Sequence, residues 1–489
     1  MKIGFDNQKY IEMQSKHIVE RINTFGEKLY LEFGGKLFDD FHASRVLPGF
    51  APDSKLQMLL QLKDQAEVVI VISAIDIEKN KVRGDLGITY DNDVLRLIEV
   101  YRKKGLFVGS VVITRYNGQN AADLFKARLE KRDIPVYLHY VIDGYPNDAK
   151  NIISEHGFGK NEYIETTKPL VVITAPGPGS GKMATCLSQL YAENLRGIKA
   201  GYAKFETFPV WSLPLNHEVN LAYEAATADL NDVNMIDPFH LETYDEVAIN
   251  YNRDIEIFPV LKKIFEEIYG KSPYASPTDM GVNMAGFCIS DDEVSREASR
   301  QEIIRRYYHS MQRFVNEECQ FDEVNKIEMI MSHANIKKED RKCANLANID
   351  AHNLSADCGA IELDDGTMIT GHTTPLMGPC ASLLINALKY LANIADDVHV
   401  ISPLAFAPMQ DLKTTYLQSK NPRLHSDEIL VALALSVKDI PEAKLAMDQL
   451  VNLKGTQAHI TAPVGNSDAI TYKKLGIALT HASIEEKED

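Results

Sequence analysis

The sequence has little of three features that mark common classes of protein: paired cysteines, excess positive charge and long apolar runs. Its six cysteines are scattered and contain no CxxC pair, so neither a disulfide framework nor a cysteine-based zinc site is predicted. The 14 histidines form no HxxxH or HExxH arrangement, which excludes the common helical zinc motifs. We therefore expect reduced thiols and predict no metal-binding residue.

Charge and hydropathy restrict the partners. A net charge of −17 argues against DNA or RNA as the main partner, because a nucleic-acid binder needs a basic face to neutralise phosphates. No apolar run approaches the roughly 20 residues that cross a bilayer, so no membrane partner is expected. The first residues do not have the pattern of a signal peptide, which together with the unpaired cysteines predicts a cytoplasmic location. The oligomeric state stays open, a homo-oligomer included.

A chain of 489 residues is too long for one hydrophobic core, and the pattern changes twice along it. From Glu67 to Thr207, short β-branched runs alternate with amphipathic stretches, which predicts a parallel sheet with helices on both faces. Helical periodicity then dominates as far as about Asn348. We predict an α/β domain over 1–215, a helical domain or insertion over 216–354, and a smaller α/β domain over 355–489.

Two elements define the last region. The turn Asp364-Asp365-Gly366 lies between Cys358–Leu363 and Met368–Gly371, which predicts a hairpin because glycine supplies the positive φ of such a turn. A strand is also predicted at Val398–Ile401, after a helix over Ala381–Asn393.

The strongest functional indication is a glycine-rich strand–loop–helix at residues 168–191. The apolar strand Leu170–Thr174 leads into Gly177, Gly179 and Gly181, and Lys182 opens an amphipathic helix. Glycines let successive N–H groups converge, and a helix N-terminus with an adjacent lysine supplies positive charge. We interpret this segment as an anion site of the phosphate type. The alternative is a tight turn whose glycines only permit close packing.

The segment departs from the GxxxxGK[ST] loop of nucleotide hydrolases in two places. Pro176 replaces the first glycine, and Met183 replaces the hydroxyl residue that would bind Mg²⁺. The hydroxyls of Ser180 and Thr185 are near but off that spacing.

Charged residues follow other predicted strands, and ligands of open parallel sheets bind beyond the carboxyl ends of the strands. Asp76 follows one strand, Arg115 the next, and Glu206 the last of the region. The predicted binding residues are Gly177, Gly179, Ser180, Gly181, Lys182, Thr185, Asp76, Arg115 and Glu206. No catalytic residue is predicted, and the cofactor stays unknown.

Two other polar segments are of interest. Asp229–Asp237 contains three carboxylates in nine residues, which suits a divalent cation, although helix capping is the favoured interpretation. Ser276–Asn283 is a polar stretch in a helical region, and one hypothesis is that it forms a loop at a binding cleft.

Several runs resemble an uncharacterised bacterial family, domain of unknown function 1846. They are residues 32–36, 83–91, 175–185, 229–240 and 276–283, and the resemblance extends along the whole chain. It implies a cytoplasmic bacterial protein with an α/β N-terminal part, a helical part and an α/β C-terminal part. It carries no established activity, so no catalytic residue is transferred.

The C-terminal part is also similar, in the order of its elements, to the cytidine-deaminase-like fold. Zinc deaminases of that fold bind their metal through a PCxxC motif and a His or Cys that accompanies the catalytic Glu. Here Leu404 and Ala407 occupy the two cysteine positions, and no His-x-Glu opens the first helix. Zinc-hydroxide chemistry of that kind therefore lacks its ligands.

Two functions fit these observations. The first is an enzyme that binds a nucleotide or another small phosphorylated molecule at the glycine-rich loop, a nucleotide-dependent transferase being one such activity. The second is a non-catalytic metabolite-binding or regulatory protein.

Overall fold

The computed structural model describes residues 2–35, 37–38, 40–83 and 86–482. The chain forms two compact units. The N-terminal unit contains Ile3–Glu224 and Asn231–Arg296; the C-terminal unit contains Ala225–Leu230 and the chain from Glu297 onward, together with Lys2. The three-domain division at 215 and 354 stays a prediction.

The N-terminal unit contains eleven strands in its described residues. They are β1 (Lys28–Phe33), β2 (Ala66–Ser73), β3 (Val82–Arg83), β4 (Ile88–Thr89), β5 (Phe107–Tyr116), β6 (Val136–Tyr140), β7 (Leu170–Thr174), β8 (Ala200–Phe205), β9 (Asn234–Ile236), β10 (Ile249–Tyr251) and β11 (Gly281–Val282).

Helices connect these strands. They are α1 (Asn7–Phe25), α2 (Phe41–Val46), α3 (Ser54–Gln61), α4 (Ala74–Glu78), α5 (Tyr90–Lys103), α6 (Asn120–Glu130), α7 (Ala149–Ile152), α8 (Lys182–Leu195), α9 (Glu218–Ala226), α10 (Pro238–Tyr244), α11 (Asn252–Tyr269) and α12 (Pro277–Met280). Short 3₁₀ turns occur at Phe158–Lys160 and Ala285–Cys288. No helix in the described part of the chain is both long enough and apolar enough to cross a membrane.

Seven strands form one sheet in the order β11-β8-β1-β7-β2-β5-β6, and every neighbouring pair is parallel. This confirms the predicted α/β class. All residues of β2 and β7 are buried, as expected when helices cover both faces of a sheet. The side chains of α8 and α11 pack on the sheet, with Leu187, Leu190, Phe258 and Phe265 in the same core as Ile173.

The edge strand β11 differs from expectation. Residues 276–283, predicted as a polar loop, form the short helix α12 followed by β11. Ser276 and Asp279 cap each other's backbone in a capping box, which satisfies the free N–H groups of this single turn. Gly281 and Val282 then pair with Lys204 and Phe205 of β8, so the segment completes the sheet.

The connectivity places a crevice in this sheet. After β7 the chain passes through α8 to β8, towards one edge of the sheet, and after β2 it passes to β5, towards the other edge. Strands β7 and β2 are neighbours, so the chain leaves them in opposite directions. Such a switch point is where parallel α/β sheets bind ligands, beyond the carboxyl ends of the strands.

The described C-terminal unit contains the strands β12 (Cys358–Glu362), β13 (Met368–His372), β14 (Gln457–Ile460) and β15 (Ala478–His481). Its helices are α13 (Asp292–Val315), α14 (Phe321–His333), α15 (Lys342–Leu354), α16 (Pro379–Leu391), α17 (Pro403–Asp411), α18 (Ser426–Ser436), α19 (Pro441–Asp448) and α20 (Asn466–Leu475). Helix α13 begins with residues of the N-terminal unit, and α9 ends with residues of the C-terminal unit. Short helical turns occur at Ala228–Leu230, Lys338–Asp340, Leu412–Tyr416 and Gln449–Leu453.

The sheet order of this unit is β13-β12-β14-β15. Strands β12 and β13 form the predicted antiparallel hairpin, and Gly366 in its turn has φ +83°. The strand predicted at Val398–Ile401 is wrong, because these residues are not in a strand. Val400 is nevertheless buried in the core under α16, which explains why the run is apolar without being a strand.

Close packing of β8 on α1 gives a prediction for Gly201. A Cβ at this position would collide with the ring of Phe25, and overpacking of this kind costs about 1–3 kcal/mol. We expect Gly201→Ala to lower the free energy of unfolding of the N-terminal unit by that amount. Urea unfolding followed by the fluorescence of Trp211, the single tryptophan, measures it within this unit.

Gly109→Ala is the matched control. Gly109 lies in β5 of the same sheet, and its Cβ would meet only ordinary contacts at 3.7–3.8 Å. Equal unfolding midpoints for the two variants would contradict the packing of α1 on β8.

Candidate functional site

The glycine-rich loop between β7 and α8 is held by hydroxyl groups that bind its carbonyls. Thr114 of β5 donates to the carbonyl of Ser180 at 2.6 Å, and the hydroxyl of Ser180 donates to the carbonyl of Gly177 at 2.8 Å. The backbone N–H and the hydroxyl of Thr185 both donate to the carbonyl of Gly181 at 3.0 Å. Because the carbonyl and N–H of a peptide point in opposite directions, these bonds turn the N–H groups of Gly181 and Lys182 away from the protein interior.

The N-terminus of α8 is uncapped. Gly181 occupies the capping position with φ +94°, a conformation that favours glycine, and it has no side chain to bind the first turn. No acceptor among the described residues binds the backbone N–H groups of Gly177, Gly179, Ser180, Gly181, Lys182, Met183 or Ala184. Free N–H groups at the N-terminus of a 14-residue helix form a site for a negatively charged group.

Lys182 adds a full charge beside these groups. Its half-buried side chain makes no ion pair or hydrogen bond with any residue that the structure describes. Lysine on a protein surface is a strongly hydrated point charge that binds phosphate readily. The loop therefore presents both free N–H donors and an unpaired ammonium.

Residues after β2 complete the other side of the crevice. A Cβ at residue 177 would collide with the hydroxyl of Tyr90, so the phenol lies directly against the loop. The ammonium of Lys81 lies 5.0 Å from the centre of the Tyr90 ring and 3.4 Å from Oδ1 of Asp76. Asp76 is thereby linked to the glycine-rich loop through Lys81 and Tyr90.

A second group of charges lies at the carboxyl ends of β8 and β1. The ammonium of Lys204 contacts Oδ2 of Asp254 and lies 2.7 Å from Oε1 of Glu206. Glu32 pairs in register with Lys204 on the neighbouring strand and accepts a 2.7 Å hydrogen bond from the hydroxyl of Tyr202. Two carboxylates thus contact the ammonium and a third lies on the neighbouring strand, which leaves excess negative charge in a buried place.

This excess negative charge shifts the pKa values of Glu206 and Lys204. Burial raises the pKa of Glu206 to about 7, with Lys204 opposing the change and Asp254 and Glu32 adding to it. Burial alone would lower the pKa of Lys204, but Asp254, Glu206 and Glu32 raise it above its ordinary value. A carboxyl that titrates near neutral pH can accept or donate a proton, which is the property of a general acid or base.

The predicted site residues separate into two groups. Gly177, Gly179, Gly181 and Lys182 form the loop itself, and Asp76 reaches it through Lys81 and Tyr90. The hydroxyls of Ser180 and Thr185 bind the loop's own carbonyls, so they shape the loop and are not turned towards a ligand.

Arg115 and Glu206 lie on opposite sides of the strand that leads into the loop. Arg115 is in β5, two strands from β7, and it directly follows Thr114, whose hydroxyl binds the loop at Ser180. Its φ of +54° is unusual for a residue with a side chain. Glu206 follows β8, two strands from β7 on the other side, so at about 4.8 Å per strand it lies roughly 10 Å from the end of β7 and further from Ser180.

Several residues of the site escaped the sequence analysis. Tyr90 was not singled out because it lies 87 positions before Gly177 and begins an ordinary amphipathic helix. Lys204 and Asp254 were missed for a similar reason, since α11 follows β8 only after a long excursion. A charged residue such as Lys204 inside an otherwise apolar strand was the one signal available.

The acidic residues of the Asp229–Asp237 segment make structural contacts. Asp237 caps α10 by accepting from the N–H groups of Phe239 and His240, as the capping interpretation predicts. Asp232 pairs with Arg253. No group of three or more His, Cys, Asp or Glu residues arranged for a metal ion occurs in the part of the chain that the structure describes.

Nearly the whole chain matches the two domains of one known protein family. Residues 3–335 match the N-terminal domain of unknown function DUF1846, and residues 339–488 match its C-terminal counterpart. The chain belongs to the DUF1846 family. The resemblance inferred from the sequence is thereby confirmed, and a likeness to the cytidine-deaminase fold stays a prediction.

Relatives of this DUF1846 chain align over nearly its full length. A UPF0371 protein of Streptococcus uberis is 56% identical over 479 residues, which is 98% of this chain and 97% of the relative. UPF0371 proteins of Streptococcus sanguinis and Streptococcus pneumoniae are 57% identical with the same coverage. These relatives are bacterial, and their names state no activity.

The raised pKa of Glu206 predicts a pH dependence of stability. Because the folded state favours the protonated carboxyl, this contribution to stability is complete below the ordinary pKa of 4.5 and is lost as the pH rises through about 7. Between about pH 5 and pH 8 the wild type should lose roughly 1–3 kcal/mol that Glu206→Gln does not lose. Urea unfolding followed by Trp211 fluorescence at both pH values measures the difference.

Glu155→Gln is the control for this prediction. Glu155 is exposed in the same unit and its carboxylate makes no hydrogen bond or ion pair with described residues, so the variant should follow the wild type. If the wild type and Glu206→Gln lost stability in parallel, the Glu206 carboxyl would not titrate in this range.

Proposed function

We propose that this chain binds a small phosphorylated molecule, a nucleotide or a phosphorylated metabolite, with a phosphate on residues 177–184. The observation that carries the proposal is the set of backbone N–H groups without an acceptor around the uncapped start of α8. The switch-point position of the loop between β7 and β2 supports it, since ligands of such sheets bind there. The unpaired Lys182 supports it as well.

The local charge opposes the negative charge of the whole chain. The helix N-terminus contributes about half a positive charge, and Lys182 adds a full one. Hydrogen bonds to a charged group each contribute about 1.5–3 kcal/mol, so two or three from the loop contribute about 3–9 kcal/mol. Because association itself costs at least about 4 kcal/mol, micromolar binding also needs contacts between the protein and the rest of the ligand. Asp76 with Lys81 lies beside this position, where a phosphate-bound cation or a ribose hydroxyl would meet a carboxylate.

Within this proposal, Glu206 supports a nucleotide-dependent transferase. Its carboxyl lies at the same sheet edge as the loop, and its pKa of about 7 suits the removal of a proton from an acceptor hydroxyl.

A non-catalytic metabolite-binding or regulatory protein is the second candidate. It is favoured by Met183, which has no oxygen at the position where nucleotide hydrolases place their Mg²⁺-binding hydroxyl. The Thr185 hydroxyl does not replace it, since that group donates to the carbonyl of Gly181. The loop can therefore hold a phosphate without assembling a metal centre itself.

Binding is tested with the Lys182→Ala variant. We expect ATP, GTP or a sugar phosphate to bind the wild type saturably in calorimetry and to raise the unfolding temperature seen by Trp211. Loss of one charged contact should weaken that binding roughly 10- to 100-fold. Lys182→Arg, which keeps the charge, should retain part of the affinity.

Lys104→Ala is the matched control. Lys104 is exposed and precedes β5, so it lies at the amino edge of the sheet, opposite the loop, and its removal should leave affinity unchanged. The proposal is wrong if none of these phosphorylated compounds binds the wild type, or if Lys182→Ala and Lys104→Ala bind equally well.

The two candidates are separated by turnover of the nucleotide that binds. For a transferase, Glu206→Gln should keep the dissociation constant within about threefold and lower the rate of nucleotide consumption about 100-fold. Chromatography of the nucleotide after incubation with candidate acceptors measures this rate. A wild type that binds the nucleotide and leaves it unchanged would establish the non-catalytic alternative.

A further inference from the structure

The C-terminal unit contains a fully buried arginine whose described contacts include no carboxylate. Arg341 precedes α15 and has 0% of its surface exposed. Its guanidinium donates to the hydroxyl of Thr480 at 2.8 Å, to the side-chain oxygen of Gln457, and to the carbonyls of Ala478 at 2.7 Å and Ala458 at 3.2 Å. These bonds fix the cation between β14 and β15.

Arg341 determines the hydrogen bonding of its neighbours. An arginine can only donate, so Oγ1 of Thr480 accepts from it and has one proton left to give. That oxygen lies 2.9 Å from Nδ1 of His459 and 3.3 Å from the carbonyl of Ala458, and it can give the proton to either. When Nδ1 accepts the proton, Nε2 carries the ring hydrogen.

The Nε2–H group of His459 faces a cavity. The ring is 1% exposed, lies 4.9 Å from the ring of Tyr308, and lines a cavity of about 830 Å³. Apart from the Nδ1 contact with Thr480, His459 makes no hydrogen bond to any residue in the described ranges.

A second donor lies at the same cavity. Nε of Arg423 donates to the carbonyl of Thr374 at 2.9 Å, and its terminal nitrogens bind no other described residue. The hydroxyls of Thr373 and Thr461, which also line the cavity, bind the carbonyls of Asp357 and Cys358. The lining also contains Lys338 and Asp357, so together with Arg423 the cavity has two cationic side chains and one carboxylate, a balance that favours an anion.

We propose that this cavity is a second ligand site, which binds a small anion bearing a carboxylate or phosphate group through Nε2–H of His459 and the guanidinium of Arg423. The site is separate from the glycine-rich loop and does not depend on the function proposed for that loop.

The titration of His459 agrees with this geometry. Burial lowers the pKa of His459 to about 3, and the charges of Arg341 and His481 add to the effect. The ring is therefore neutral at ordinary pH, with a hydrogen on one nitrogen only, and Arg423 supplies the charge.

The test uses the full-length chain and two probes, citrate for the carboxylate class and inorganic phosphate for the phosphate class. We expect at least one probe to bind saturably in calorimetry. Arg423→Ala should weaken this binding at least 10-fold, His459→Phe should do the same, and His459→Gln, which keeps an N–H donor, should retain most of the affinity. Because Arg423 is exposed, its variant remains informative even if His459→Phe does not fold.

Two controls assign the binding to this cavity. Lys438→Ala removes an exposed cation of the same unit that does not line the cavity, and it should bind like the wild type. Phosphate that binds the glycine-rich loop is separated by repeating the titrations in the Lys182→Ala background, where Arg423→Ala should still weaken the remaining binding. The proposal is overturned if neither probe binds the wild type, if Arg423→Ala keeps full affinity, or if no binding that depends on Arg423 remains in the Lys182→Ala background.

Discussion

The hydrogen bond from Thr114 to the carbonyl of Ser180 is the contact on which the candidate site depends. It joins β5 to a loop that starts two strands away, and it fixes the direction of the peptide between Ser180 and Gly181. With the carbonyl of Gly181 bound by Thr185, the neighbouring N–H groups must face the crevice. The glycines make this backbone path accessible, and the buried hydroxyls select it.

Charge in this acidic protein is concentrated in pairs and clusters that are satisfied internally. Lys204 is surrounded by Asp254, Glu206 and Glu32, and Lys81 is shared between Asp76 and the face of Tyr90. Lys182 differs, since it has no such partner among the described residues. An unpaired ammonium beside free N–H groups makes this place locally positive in a chain with a net charge of −17, as the proposed phosphate binding requires.

Local patterns in the sequence predict the sheet well and the site only in part. The bounds of β7 and the start of α8 follow from a β-branched run, a glycine cluster and a change to helical period, all within residues 168–191. Local patterns do not predict that Tyr90 and Asp254 belong to the site, because long-range packing brings these residues to the sheet edge. The error at Val398–Ile401 has the opposite cause: an apolar run is buried under a helix without pairing, and hydropathy alone does not distinguish that from a strand.

The two candidate sites share one principle, which is that a buried threonine orients a donor it does not itself present. Thr114 binds a carbonyl and thereby turns a backbone N–H outward, and Thr480, held by Arg341, contacts Nδ1 of His459 and thereby leaves Nε2 as the ring nitrogen for a ligand. The sites differ in what presents the donor. A backbone cradle tolerates many side chains as long as its glycines remain, whereas the C-terminal site depends on the side chains of His459 and Arg423. Substitutions should therefore affect the two sites through different physics: backbone strain at the loop and loss of a specific donor in the cavity.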